Sequence, residues 1–231
     1  MITKEDLRRI YNHLLLNVDY LTDPGLYFGK MGCLLFFAHY AKKYNNKINE
    51  DIVSDISEDI YSSIMRPVTY SFERGICGIG WGVEYLLQNE LMEGDPDDIL
   101  NDVDRTILNR DIRKVTPNAY IEVIGIIKYV VTRLTSSSGN TSVIPFPVDY
   151  LSELYQTICM LNRNAIFDLH QEEVIISENL TNGRFLGKPI SLTPDMFGES
   201  VDFSNFPFIP LGLKNGLSGI GINALLKIGH S

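Results

Sequence analysis

Ser71-Phe72-Glu73-Arg74-Gly75-Ile76-Cys77-Gly78-Ile79-Gly80-Trp81-Gly82 decides the fold of this chain. Gly75 and Gly78, three residues apart, open a run that carries no charge until Glu84. A helix that is apolar on every side belongs in an interior. Glycine in its first turn lets another backbone come closer than any side chain allows. The same opening stands at Gly29-Lys30-Met31-Gly32-Cys33-Leu34 and at Gly216-Leu217-Ser218-Gly219-Ile220-Gly221. The first two copies start 46 residues apart, Gly29 to Gly75. Aligning Tyr85 with Tyr129 places a degenerate third copy at Ala119, and Gly216 lies about two units further on. A period near 45 residues holds two helices and two connections.

Four interior helices follow from this repeat: 29–44, 75–88, 119–134 and 216–228. Amphipathic helices are expected between them. Ile52, Ile56, Ile60 and Ile64 recur at four residues, with acids on the other faces. Asp95-Pro96 is a helix start, a capping carboxylate followed by proline at the first helical position, with Val103 and Ile107 continuing the stripe of Ile99. Thr116-Pro117 reads the same way. Pro145 and Pro147 precede a helix over about 148–161, and 163–175 is expected to be a further short one. Thr3 and Asp6 cap the first helix. The stretch 177–211 holds Pro189, Pro194, Pro207 and Pro210 with three glycines, so it reads as a largely irregular insertion in a single domain spanning 1–231, with a hairpin signal at Asn182-Gly183.

The 231 residues are 45% hydrophobic, enough to bury a core and too many for a disordered chain. A net charge of -9 repels backbone phosphates, which excludes a nucleic-acid partner of the usual basic kind. Three cysteines cannot all pair within the chain, and such sparse usage suits a reducing cytoplasm. The mixed charges over 1–9 do not form a secretory signal, and 121–134 is too short and too charged to span a bilayer.

Gly-x-x-Gly turns opening buried helices at this spacing resemble the lanthionine synthetase C-like family, over about residues 1–135 and 205–231. The closest matches are 71–82 and Gly212-Leu213-Lys214-Asn215-Gly216-Leu217-Ser218-Gly219-Ile220-Gly221. The resemblance implies an all-α fold, an α/α toroid of inner and outer helices with the glycine turns at one end. The chain is short for a complete ring, so a partial or compact one is expected. An open apolar edge would favour a homo-oligomer. The turns should leave helix N–H groups facing a shallow polar cup.

Cyclases of this family hold zinc with two cysteines and a histidine, from Trp-Cys-x-Gly and Cys-His-Gly motifs. Here Trp81 is followed by Gly82, and the pairs before the glycine turns are Tyr27-Phe28, Glu73-Arg74 and Lys214-Asn215. No metal and no other cofactor is therefore expected. Cys33, Cys77 and His39 are the residual metal candidates. Cys33 and His39 lie about 9 Å apart along one helix, too far for one ion. His13, His170 and His230 stand in no catalytic spacing.

The residues expected to line the cup are Tyr27, Lys30, Glu73, Arg74, Glu122, Lys214 and Asn215. The function expected from them is non-catalytic, the binding of a peptide or partner protein in a peptide-modification system. The competing class is an enzyme, either a divergent cyclase or a sugar-active toroid using carboxylates such as Glu84 and Glu122. Glu84 and Glu122 sit in apolar helices, where an acid requires a partner.

Overall fold

The computed structural model describes residues 2–45, 47–64, 69–113, 116, 119–135, 145–164, 167–183, 190–198 and 203–228. All regular structure among them is helical. The helices are α1 (Lys4–Asn17), α2 (Lys30–Tyr44), α3 (Lys47–Ile64), α4 (Ile76–Gln88), α5 (Pro96–Ile99), α6 (Asn101–Leu108), α7 (Tyr120–Thr135), α8 (Val148–Arg163), α9 (His170–Asn182), α10 (Pro194–Phe197) and α11 (Leu217–Ile228). The four interior helices of the sequence reading correspond to α2, α4, α7 and α11. Pro117, residues 136–144 and His230 lie outside the described residues.

The four repeat helices are neighbours in space, in the order α11, α2, α4, α7, and α9 packs on the far side of α7. α1 covers α11, α3 covers α2, α6 touches α4 and α8 covers α9. Two apolar clusters result, one around α1, α2, α4 and α11, the other around α4, α6, α7, α8 and α9. α4 serves both: Ile79, Trp81, Tyr85 and Leu86 face the first, Ile76 and Cys77 the second. That position explains a sequence apolar on every side. In α2 the whole run from Met31 to Ala38 is buried because α3, α4 and α11 all pack on that helix.

The glycine turns make one repeated structure. The N–H of the residue after the first glycine donates to a carbonyl seven residues upstream: Lys30 to Asp23 (2.9 Å), Ile76 to Thr69 (2.9 Å) and Leu217 to Pro210 (2.8 Å). The next N–H repeats the step, Met31 to Pro24 and Ser218 to Leu211. Neighbouring turns are also stitched together. Lys214 N–H donates to Tyr27 O, and Tyr27 N–H donates to Glu73 O, each at 2.9 Å. The second glycine of each motif lies against the carbonyl of its own turn. A Cβ there would stand 2.6 Å from Leu26 O at Gly32, 1.9 Å from Phe72 O at Gly78 and 2.0 Å from Leu213 O at Gly219. One expectation is corrected by this geometry. The first N–H of α2, α4 and α11, and the second of α2 and α11, go to upstream carbonyls, so those groups do not face a cup as free donors.

Three local expectations also shift. Asp95 caps its helix, accepting from Asp97 N–H at 2.9 Å. The helix then breaks at Leu100, leaving Ile99 38% exposed while Val103 and Ile107 are buried. α9 starts at His170, not near Arg163, because α8 runs on to Arg163 and Asn162 turns back to accept from Leu169 N–H at 2.8 Å. α9 then continues to Asn182, into the stretch expected to be irregular from Ser177. Gly183, at φ +86°, closes that helix where a hairpin was expected.

Candidate functional site

A cup of about 300 Å³ opens between the turns of α2 and α4, the inner faces of α4 and α7, the first turn of α9 and the segment 190–196. Its aromatic wall is Tyr27, Phe72 and Trp81. Phe72 meets Trp81 edge to face at 5.9 Å, and Trp81 stacks on Tyr85 at 5.5 Å. Lys128, from the middle of α7, reaches over the Phe72 ring with its ammonium 4.9 Å from the centroid. Glu172 and Asp195 complete the charged rim. Burial is the main cause that pushes the Tyr27 phenol up to about 12, helped by the charges of Asp195 and Glu73. Tyr27 therefore acts as a neutral wall with a hydroxyl, not as a base.

Of the seven residues expected at the cup, Tyr27 lines it. Lys214 is not among the lining residues, but its ammonium stands 4.9 Å from the Tyr27 ring centroid. Glu73 gives its carbonyl to Tyr27. Arg74 pairs with Asp23 and covers the Phe28 ring at 4.3 Å, which pins one turn to the next. Asn215 takes the left-handed conformation (φ 53°), and its N–H donates to Phe197 O at 2.9 Å. Lys30 is directed to α3, where it pairs with Asp59. Glu122 pairs with Arg110 at 2.9 Å. The expected set thus builds the turns around the cup more than its lining.

Trp81, Lys128, Glu172 and Asp195 were absent from that set. Lys128 carried a readable signal, a charge in the middle of the apolar helix 121–134, between Glu122 and Arg133 near its ends. Glu172 and Asp195 carried none, since acids near helix starts are ordinary.

The residues present do not fit the zinc site of the resembled cyclases. Cys33 is fully buried, its thiol donates to Leu211 O at 3.6 Å, and burial pushes its pKa up to about 12. Burial raises the Cys77 thiol well above its ordinary value as well, with the charge of Glu122 adding to it. His39 is bound to the Tyr85 hydroxyl at 2.9 Å. Among the described residues no group of three His, Cys, Asp or Glu is placed to hold a metal ion. No helix of the described residues is long and apolar enough to cross a membrane.

His39 makes the fold acid-sensitive. Burial, then the Lys42 charge, lowers its pKa to about 4, against 6.5 in an unfolded chain. Between those values the unfolded state binds the extra proton, so the stabilising effect of neutral His39 is complete above pH 6.5 and is lost as pH falls toward 4. Urea titrations across this window should show a loss of up to about 3 kcal/mol in wild type. A clearly shallower loss is expected in His39→Gln. Identical slopes in the two proteins would refute the assignment.

Comparison with protein-family models, with curated proteins and with solved structures finds no match to this chain.

Proposed function

We propose that this chain is a compact α/α-toroid relative of the lanthionine synthetase C-like proteins, and that it binds a peptide in the cup without performing zinc-dependent cyclisation. The order α11, α2, α4, α7 with α1, α3 and α6 outside them supports the toroid reading. The observation that carries the function is the make-up of the cup: three aromatic rings beside one ammonium and two carboxylates. Apolar walls with a few placed charges are the usual dress of a ligand site. Both signs of charge suit a peptide, which presents both.

Trp81 is the only tryptophan in the chain and lies in the cup wall, so its emission reports occupancy. A tryptophan-free synthetic peptide of about 20 residues, containing Ser, Thr, Cys, Lys and Asp, should shift that emission saturably. Lys128→Ala should weaken the binding at least about tenfold, roughly one charge-assisted contact. A version of the peptide with dehydroalanine in place of its Ser should lose its free thiol no faster with the protein than in buffer alone. A flat titration, or thioether formation accelerated by the protein, would reject the reading.

One observation favours a second reading. Glu172 and Asp195 both line an aromatic-walled cup, the furniture of a carbohydrate-active site. Glu84 and Glu122, the acids first considered for that role, are held elsewhere by Arg133 and Arg110. Release of reducing ends from cello- or xylo-oligosaccharides, lost in Glu172→Gln and in Asp195→Asn, would establish it over peptide binding.

A further inference from the structure

One wall of the cup is a segment of the chain itself. Residues 190–193 form no regular secondary structure and, with Thr193 extended, lead into the single turn of α10. Ile190 and Leu192 pack against the α2/α4/α11 core and Met196 is buried, while Ser191, Thr193 and Asp195 are exposed. This is the alternation of a strand with one face on a support. Its two ends are tied. At one end the side-chain amides of α4's C-terminus clasp the main chain of Ile190: its N–H donates to Gln88 Oε1 at 2.9 Å, and its carbonyl accepts from Asn89 Nδ2 at 3.2 Å. At the other end Phe197 O accepts from Asn215 N–H in the turn before α11.

Holding both main-chain groups of one residue by side-chain amides is how a protein grips a peptide without reading its side chains. The cup is the space left between this segment and Lys128, Thr132 and Glu172 on α7 and α9. With the segment displaced, the cup and the face beneath it would form one cleft.

We propose that the face under Ile190–Met196 is a groove for an extended peptide, and that the chain's own segment occupies it and must leave for a ligand to enter. The inference rests on the peptide-binding reading above and names the ligand's pattern. It is an extended segment with apolar side chains two residues apart and small hydroxyl residues between them, as in Ile190-Ser191-Leu192-Thr193. Gln88 and Asn89 hold its main chain at one end. The tethered segment competes at an effective concentration of order millimolar, so wild type binds such ligands weakly.

The probe is the synthetic peptide Lys-Pro-Ile-Ser-Leu-Thr-Pro-Asp-Met-Phe, the sequence of residues 188–197, titrated into the 231-residue chain with Trp81 emission as the readout. In Leu192→Asp/Met196→Asp the tethered segment loses its apolar anchors and should vacate the groove. This variant should bind the peptide at least about tenfold more tightly than wild type does, the loss of a millimolar competitor. Acrylamide quenching of Trp81 in the free variant should rise. Equal affinity for both proteins, or no binding to a variant whose circular dichroism is intact, overturns the proposal. If the double variant loses its helical signal, Leu192→Ser replaces it: tighter binding than wild type supports the proposal, and equal or no binding overturns it. The unrelated 20-residue peptide keeps the two readings apart. Should it bind wild type and variant equally while the 188–197 peptide binds neither, the cup takes peptides but the segment is only a wall. Should nothing bind either protein, both readings fall.

Discussion

Gly78→Ala is expected to lower the stability of the chain by at least about 3 kcal/mol in urea denaturation, at the upper end of what overpacking costs. The added methyl carbon would sit 1.9 Å from Phe72 O and 2.9 Å from Phe72 C. Neither atom is free to yield. The turn carrying Phe72 is closed by Gly75 N–H to Ser71 O and by Ile76 N–H to Thr69 O, and its next carbonyl, Glu73 O, is bonded to Tyr27. The Phe72 side chain is itself buried against Trp81. Relief therefore requires the turn or α4 to move, and either motion breaks the link to the turn before α2. Gly183→Ala is the control. It stands at φ +86°, ψ −91° with nothing within 4 Å of the new carbon, so only backbone strain of about 1–3 kcal/mol applies. Equal costs at the two positions would show that the contact at Gly78 is not what requires glycine. Gly219→Ala, 2.0 Å from Leu213 O, should follow Gly78 and not Gly183.

The repeated turns were legible in the sequence because glycine is informative where two backbones touch. Gly29, Gly75 and Gly216 pointed to the helices that became α2, α4 and α11, and the apolar character of those helices pointed to their burial. The hydrogen bonds that seal the turns were not legible. They run from one repeat to the next, Lys214 to Tyr27 to Glu73, through main-chain atoms that no side chain reveals. The expectation of open N–H groups failed on a second set of main-chain bonds, from the helix starts back to their own turns: Lys30 to Asp23, Ile76 to Thr69 and Leu217 to Pro210. The cup was half legible. Tyr27 follows from its place before Gly29, and Lys128 from its charge in an apolar helix. Glu172 and the 190–196 wall come from a part of the chain without period, where burial depends on what lies opposite and not on local pattern. Arg74 and Lys214 were legible as charges beside the turns, but their roles as covers over Phe28 and Tyr27 depend on rings contributed by a different turn.

Arg133→Met is expected to destabilise the chain by about 3–5 kcal/mol, the cost of leaving buried acids without their cation. An acid in an apolar helix requires a partner, and for Glu84 that partner is Arg133. Its guanidinium on α7 donates to Glu84 Oε1 on α4 at 2.6 Å, to Asp104 Oδ2 on α6 at 2.9 Å and to Asp97 Oδ1 on α5 at 2.9 Å. Asp104 also accepts from the Tyr129 hydroxyl at 2.6 Å, and Glu84 from Gln88 at 3.0 Å. Glu84 and Arg133 are almost wholly removed from solvent. Burial opposes the charge of Arg133, but the hydrogen bond and charge of Asp104, with the charges of Tyr129 and Glu84, hold its pKa above the ordinary arginine value. The guanidinium thus joins α4, α5, α6 and α7 at one point behind the cup. Methionine keeps much of the volume and supplies no donor, so Glu84 and Asp104 would be stranded beside each other. The cost should belong to the stranded charges and not to the lost packing. In that case Glu84→Gln/Asp104→Asn/Arg133→Met, which removes the three buried charges and leaves only the partly exposed Asp97, should recover most of the stability lost by Arg133→Met alone, since neutral groups can replace a buried ionic cluster at little net cost. Urea midpoints for wild type, the single variant and the triple variant decide the matter. A triple variant no more stable than Arg133→Met would place the contribution of Arg133 in its methylene packing against α4 and α6.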